Sequence, residues 1–248
     1  DEVIIKKPYL QSEVYDLIAF MEIMGFYVNI SKDHIHICKD TSLNKKEKVI
    51  EFTLITDTTE IITYVTMALI CDISVNISGL RMKETIGFFQ KDISALRKMG
   101  VNIICGTNSI YIPNRQKIKD ADLIFIPNGI LSDHQPFFSL LLTLSDNIGS
   151  IQDKVWPLRF QYAKELEKLG CKMTTENIGR LLVHPIPPHK IHQTLVASDL
   201  RAAAVLLIAA LLIPGITIIK DIDHLHRGYE RLICYINERC ECVLNENK

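Results

Sequence analysis

A repeat constrains this chain more than any other feature. One type of helix, followed by a short turn and an extended run, reads four times. The copies are SEVYDLIAFMEIMGFYVNI (12–30), KETIGFFQKDISALRKMGVNIIC (83–105), PLRFQYAKELEKLGCKM (157–173) and RGYERLICYINERCECVL (227–244). In three of them a glycine stands just past the helix, at Gly25, Gly100 and Gly170, where a positive φ can end it. Arg239 or Cys240 takes that place in the fourth. The glycines are 75 and 70 residues apart. A second helix type alternates with the first, at 57–72, 132–146 and 198–215. Each copy opens on Asp or Ser-Asp, a capping signature. These helices are the more apolar, so they are expected inside. The β-branched runs NIIC, SIYIP, LIFIP, RLLVHP and ITIIK lie between them. The unit is β-α-β-α-β-β over about 70 residues.

Three such units fill 48–248, and residues 1–47 hold only the later half of one. The expected architecture is therefore α/β, with a complete three-unit domain at 48–248 and the last part of a second domain at 1–47. The chain begins in mid-repeat, on Asp1 rather than Met, as a fragment would. An unfinished domain at 1–47 is expected to expose an apolar helix face of Val14, Leu17, Ile18 and Met21.

The longest apolar run, Ala202 to Ile213, is twelve residues and is closed by Pro214-Gly215. A bilayer needs about 20, so this is a core helix and no membrane segment is expected. Nor does any stretch read as a signal peptide. The formal net charge is −1, which gives no field to draw in nucleic acid. Lys45-Lys46-Glu47-Lys48 reads as a solvated loop. The seven cysteines are odd in number and scattered without a C-x-x-C. Cys38, Cys71 and Cys105 have apolar neighbours, which suits a reducing cytoplasm better than a disulfide framework. Cys240-Glu241-Cys242, His34-x-His36 and His224-x-His226 are each too few ligands for a metal site. No cofactor is expected.

Charges at helix starts carry the functional signal. A cation near a helix N-terminus is mildly unfavourable, by about 0.3–1 kcal/mol. Yet Arg201 lies in the first turn of the most apolar helix. Arg227 and Arg159 are expected at the starts of equivalent helices one repeat apart, and Arg81 holds a similar place. Taken singly, each is a solvated arginine near a loop. Equivalent helix ends in a repeat fold, however, point toward one side of the domain. Together these arginines would form a trap for a small, multiply charged anion. Asp133 and Asp199 stand beside them. Both can be N-caps, and for Asp199 capping accounts for the residue. Asp133 opens the polar tripeptide Asp133-His134-Gln135 and, ionised near arginines, can accept a proton from a hydroxyl.

At these residues the chain resembles the enolpyruvyl transferases, and among them the branch that acts on UDP-N-acetylglucosamine in peptidoglycan precursor synthesis. Asp199-Leu200-Arg201-Ala202 looks like that branch's D-L-R-A. His226-Arg227-Gly228-Tyr229-Glu230-Arg231 looks like its D-R-G-Y-E-R. Ser132-Asp133-His134-Gln135 looks like its T-D-x-Q, and Arg159-Phe160 like its R-F. Order and spacing agree over 11–248. The resemblance implies an inverse α/β barrel: two domains of three β-α-β-α-β-β units that close over the substrates. It implies transfer of the enolpyruvyl group of phosphoenolpyruvate to the sugar 3-hydroxyl, with release of phosphate. Under it Asp133 would take the hydroxyl proton, and Arg159 and Arg201 would hold the phosphoenolpyruvate carboxylate. Arg227 would hold the phosphate, and Val155 would lie against the nucleotide sugar. The family's acidic Cys loop, N-terminal Lys and most of its uridine pocket belong to units absent from this chain, so a missing N-terminal domain, or a subunit supplying it, is the expected partner. Trp156-Pro157-Leu158 stands where the family has Phe-Glu-Asn, and Thr58 where an Arg follows the Asp. The alternatives are a non-catalytic half that binds a partner or a nucleotide sugar, and an RNA-end-processing enzyme of related repeats. The near-neutral charge argues against the latter.

Overall fold

The structure is a computed structural model that describes residues 2–39 and 49–239. The 45–48 stretch, the Cys240-Glu241-Cys242 triplet and the final run of the fourth copy lie outside the described residues, as does the boundary expected at 47/48.

Residues 2–39 form β1 (Glu2–Lys6), α1 (Ser12–Ile23), β2 (Phe26–Ile30) and β3 (His34–Lys39). The strands make an antiparallel sheet in the order β1-β3-β2. Ile18 of α1 packs on Val28 and Ile35 in a small core of its own, flanked by Val14 and Met21. The apolar face expected to be bare is thus largely covered by the element's own sheet. Leu17, 58% exposed, is the exception.

The rest follows the repeat. The first unit has α2 (Thr58–Ile70), β4 (Val75–Ser78), α3 (Met82–Lys98), β5 (Ile104–Cys105) and β6 (Ser109–Ile112). The second has β7 (Asp122–Phe125), a 3-10 turn at Ser132–His134, α4 (Gln135–Leu142), β8 (Gly149–Asp153), α5 (Gln161–Lys168), β9 (Met173–Asn177) and β10 (Arg180–Val183). The third has β11 (Thr194–Val196), α6 (Leu200–Ala210), β12 (Ile218–Lys220), a 3-10 turn at Ile222–Arg227 and α7 (Leu232–Arg239). The second unit is the fullest: β7 and β8 pair parallel, β8, β10 and β9 antiparallel.

The first unit departs from the expected pattern, because among the described residues no strand directly precedes α2. Residues 49–56 are irregular. This segment is engaged from its flanks instead. The Ile55 N–H donates to Asp16 at 3.2 Å, Phe52 meets Phe20 edge-on, and Arg81 donates to the Thr53 carbonyl at 2.8 Å.

The two helix types separate as their composition demands. All eight residues of α4 are buried, as are Ala202 to Ala209 of α6. By contrast α5 buries only Tyr162, Ala163 and Leu166. The inner helices α2, α4 and α6 pack against one another in every pairing, with the sheets outside them. The expected turns also form: Gly25, Gly100 and Gly170 all have positive φ.

Candidate active site

Asp57 and Asp199 cap their helices. Asp57 accepts from the Thr59 N–H at 2.7 Å; Asp199 accepts from the Arg201 and Ala202 N–H groups at 2.8 and 2.9 Å. Asp133 does not cap. Its segment makes a 3-10 turn first, α4 begins only at Gln135, and Pro136 occupies the first helical turn. The Asp133 carboxylate is therefore turned to other partners.

Those partners are two of the expected arginines. Arg159 Nη1 donates to Asp133 Oδ1 at 2.5 Å, and Arg201 Nη2 donates to Oδ2 at 3.1 Å. Arg159 Nε also lies 3.8 Å from Asp199 Oδ2. The cluster is partly open, with Asp133 33% and Arg201 14% exposed at the side chain. Burial pushes the Asp133 carboxyl up, but the Arg201 and Arg159 guanidinium groups outweigh it and hold its pKa below the ordinary carboxylate value.

Arg227 does not join them. It ends the 3-10 turn before α7 instead of starting that helix, because His226-Arg227-Gly228 turns ahead of Leu232. Its side chain is exposed and makes no ion pair or hydrogen bond among the described residues. Arg159, too, precedes its helix, since α5 starts at Gln161. Arg81 donates to the Thr53 carbonyl at 2.8 Å. Val155 is half-buried on the loop after β8, with Trp156 59% and Leu158 76% exposed beside it.

Buried groups that sequence reasoning missed support the cluster. His134, wholly buried, holds Asp92 of α3 at 2.7 Å through Nδ1 and Thr59 of α2 at 3.2 Å through Nε2. The Tyr229 hydroxyl meets Thr63 Oγ1 of α2 at 2.7 Å, and Thr63 donates on to the Thr59 carbonyl. Burial pushes the Tyr229 hydroxyl up to about 12, with the Arg201 charge close enough to oppose the shift. Asp153, 1% exposed, ends β8 and accepts from Ser132 at 2.5 Å. The strand before it, Gly149–Asp153, reads GSIQD and offered no signal that singled out Asp153. The polar tripeptide was the signal for His134.

Chemically, this is one ionised carboxylate held between two guanidinium groups beside the starts of two inner helices. An incoming carboxylate can take the same N–H groups that Asp133 now occupies. No group of three or more metal-ligating side chains occurs among the described residues, and no helix there is long and apolar enough to cross a membrane.

Residues 1–234 match the family model of EPSP synthase (3-phosphoshikimate 1-carboxyvinyltransferase). UDP-N-acetylglucosamine 1-carboxyvinyltransferase 1 of Carboxydothermus hydrogenoformans is 30% identical over 92% of this chain and 53% of its own length. UDP-N-acetylglucosamine 1-carboxyvinyltransferase 2 of Listeria monocytogenes is 29% identical over 94% and 53%. Among solved structures, the enolpyruvyl transferase NikO from Streptomyces tendae superposes with a TM-score of 0.85 at 30% identity, over 96% of this chain and 55% of that one. EPSP synthase from Acinetobacter baumannii shares the fold, with a TM-score of 0.71 at 16% identity. The chain spans about half the length of the relatives it matches. Its repeat, its inner helices and these matches agree: the chain belongs to the EPSP synthase (3-phosphoshikimate 1-carboxyvinyltransferase) family of enolpyruvyl transferases.

Proposed function

We propose that this chain is the C-terminal part of an enzyme that transfers the enolpyruvyl group of phosphoenolpyruvate to the 3-hydroxyl of UDP-N-acetylglucosamine, releasing phosphate, in peptidoglycan precursor synthesis. It acts with N-terminal units that this chain lacks. Residues 48–248 are one three-unit domain and residues 1–47 the end of the other; the separate small core around Ile18 supports that division. Cys38, Cys105 and Cys171 form no disulfide among the described residues, which favours the cytoplasm.

The observation that carries the reading is the Asp133 carboxylate set between Arg159 and Arg201. Phosphoenolpyruvate brings a carboxylate that competes for those guanidinium groups. As they turn to it, Asp133 loses the charges that depress its pKa and becomes a better base. It then takes the sugar hydroxyl proton while the oxygen bonds to the substituted enol carbon. The π pair takes a proton at the methylene carbon from solvent or from the missing units, and loss of a methylene proton together with the carbon–phosphate bond restores the double bond and releases phosphate. Once they hold the substrate carboxylate, the arginines stay beside the charge that develops, which is the arrangement that lowers such barriers. Exposed Arg227 takes the phosphate, and Val155 lies against the nucleotide sugar.

The test is phosphate release by the full-length protein given both substrates. Asp133→Asn and Arg227→Ala should each abolish it; full activity in both variants would remove the assignment. A non-catalytic half is the second reading, favoured by exposed Trp156 and Leu158 where the family has Phe-Glu-Asn. It predicts nucleotide-sugar binding without phosphate release by the unaltered protein.

A further inference from the structure

We propose that Asp153 is a positioning residue that ties the Asp133 carboxylate to the Val155–Trp156 backbone, so that proton acceptor and acceptor-sugar loop move as one piece. Asp153 lies at the end of β8, 1% exposed. Its Oδ1 accepts from the N–H groups of Val155 and Trp156 at 2.8 and 2.9 Å. Those two bonds close the turn after the strand, and for that purpose an Asn would serve equally well. The second oxygen does something a turn does not require. Oδ2 accepts from Ser132 Oγ at 2.5 Å, a residue 21 positions away in sequence and immediately before Asp133.

The residue is also fixed from behind. Its N–H donates to the Gly179 carbonyl at 2.7 Å, and the next N–H, of Lys154, donates to the Phe125 carbonyl at 2.9 Å. Gly179 has φ +79°, and a Cβ there would stand 2.5 Å from the Asp153 carbonyl oxygen, so the β9–β10 turn approaches as closely as it does only because it carries glycine. Asp153 is thus held by strand, turn and hairpin, while its side chain spans two segments that must agree in position for the sugar hydroxyl to meet both its proton acceptor and the enol carbon.

This inference rests on the enolpyruvyl-transfer reading for its kinetic consequence, though not for its geometry. Ser132→Ala cuts only the cross-link, and Asp153→Asn replaces the charged acceptor while leaving an oxygen for the turn. In the full-length protein both should lower kcat about 10- to 100-fold, since small misplacements of reacting groups have effects of that order. KM for UDP-N-acetylglucosamine should rise while KM for phosphoenolpyruvate stays within about twofold. Ser132→Thr, which keeps the hydroxyl, should restore kcat. Unchanged kcat in Ser132→Ala would overturn the proposal, as would an equal change in both KM values. Amide exchange at Val155 and Trp156 is read in the same variants and needs no turnover. Faster exchange in Ser132→Ala supports the tie, and unchanged exchange overturns it. If the unaltered protein releases no phosphate but exchange still responds, the reaction assignment fails and the mechanical link stands.

Discussion

Asp133 and Asp199 occupy equivalent places in the repeat, yet only Asp199 caps its helix. The neighbouring residues make the difference. Leu200-Arg201-Ala202 continues straight into a helix, whereas Pro136 delays α4 and leaves a 3-10 turn whose middle residue is Asp133. Asp133 then titrates below its ordinary value, so the folded protein binds that proton less readily than the unfolded chain. Its stabilising contribution is present above about pH 4, the unfolded value, and is lost as pH falls through the depressed folded value. Calorimetric melting of Asp133→Asn against the unaltered protein should show a gap in Tm at pH 6 that closes toward pH 2. A gap independent of pH would mean the carboxylate is not held by its arginines. At this scale the sequence made Asp133, Arg159 and Arg201 legible, because charges at helix starts stand out against apolar runs. It could not show Arg227 apart from them. Whether a segment before a helix coils into a 3-10 turn depends on packing that the local pattern does not encode.

Among the elements, the inner helices were the most legible, since a run such as Ala202 to Ile213 has no polar side to offer solvent. The strand expected before α2 is the element that failed. Ile50, Phe52 and Leu54 alternate as a strand would. A strand, however, exists by pairing, and Ile55 and Thr53 give their backbone groups to Asp16 and Arg81. Two changes test how elements hold the site. His134→Ala leaves buried Asp92 without its partner and should cost about 3–5 kcal/mol by denaturant unfolding. Gly179→Ala imposes a left-handed conformation on a side chain and drives its Cβ into the Asp153 carbonyl, so a loss of about 2 kcal/mol or more is expected. A loss below 0.5 kcal/mol in either, roughly the level of a surface substitution, would show that the segment relaxes freely.

At the scale of the molecule, two clusters divide the buried apolar residues among those described. A large one unites α2, α4 and α6 with their sheets, and a small one holds residues around Ile18, Val28 and Ile35. Leu206→Ala, wholly buried in α6, should cost about 2–5 kcal/mol. Leu17→Ala, on the exposed side of α1, should leave this chain's own stability nearly unchanged. In the full-length protein, where the missing units would cover that face, the same change should be costly. Equal costs in both forms would contradict the proposed division into domains. The internal symmetry explains part of why the site falls where it does: Asp133 and Asp199, at equivalent positions before inner helices of successive units, both face Arg159.

The most direct test of the account is phosphoenolpyruvate binding to Asp133→Asn, measured by calorimetry beside the unaltered full-length protein. If Asp133 occupies the guanidinium groups meant for the substrate carboxylate, removing its charge should tighten binding about tenfold, or roughly 1.4 kcal/mol, while turnover is lost. Binding that weakens or stays the same would mean that Arg159 and Arg201 serve Asp133 alone, and the anion site would have to lie elsewhere.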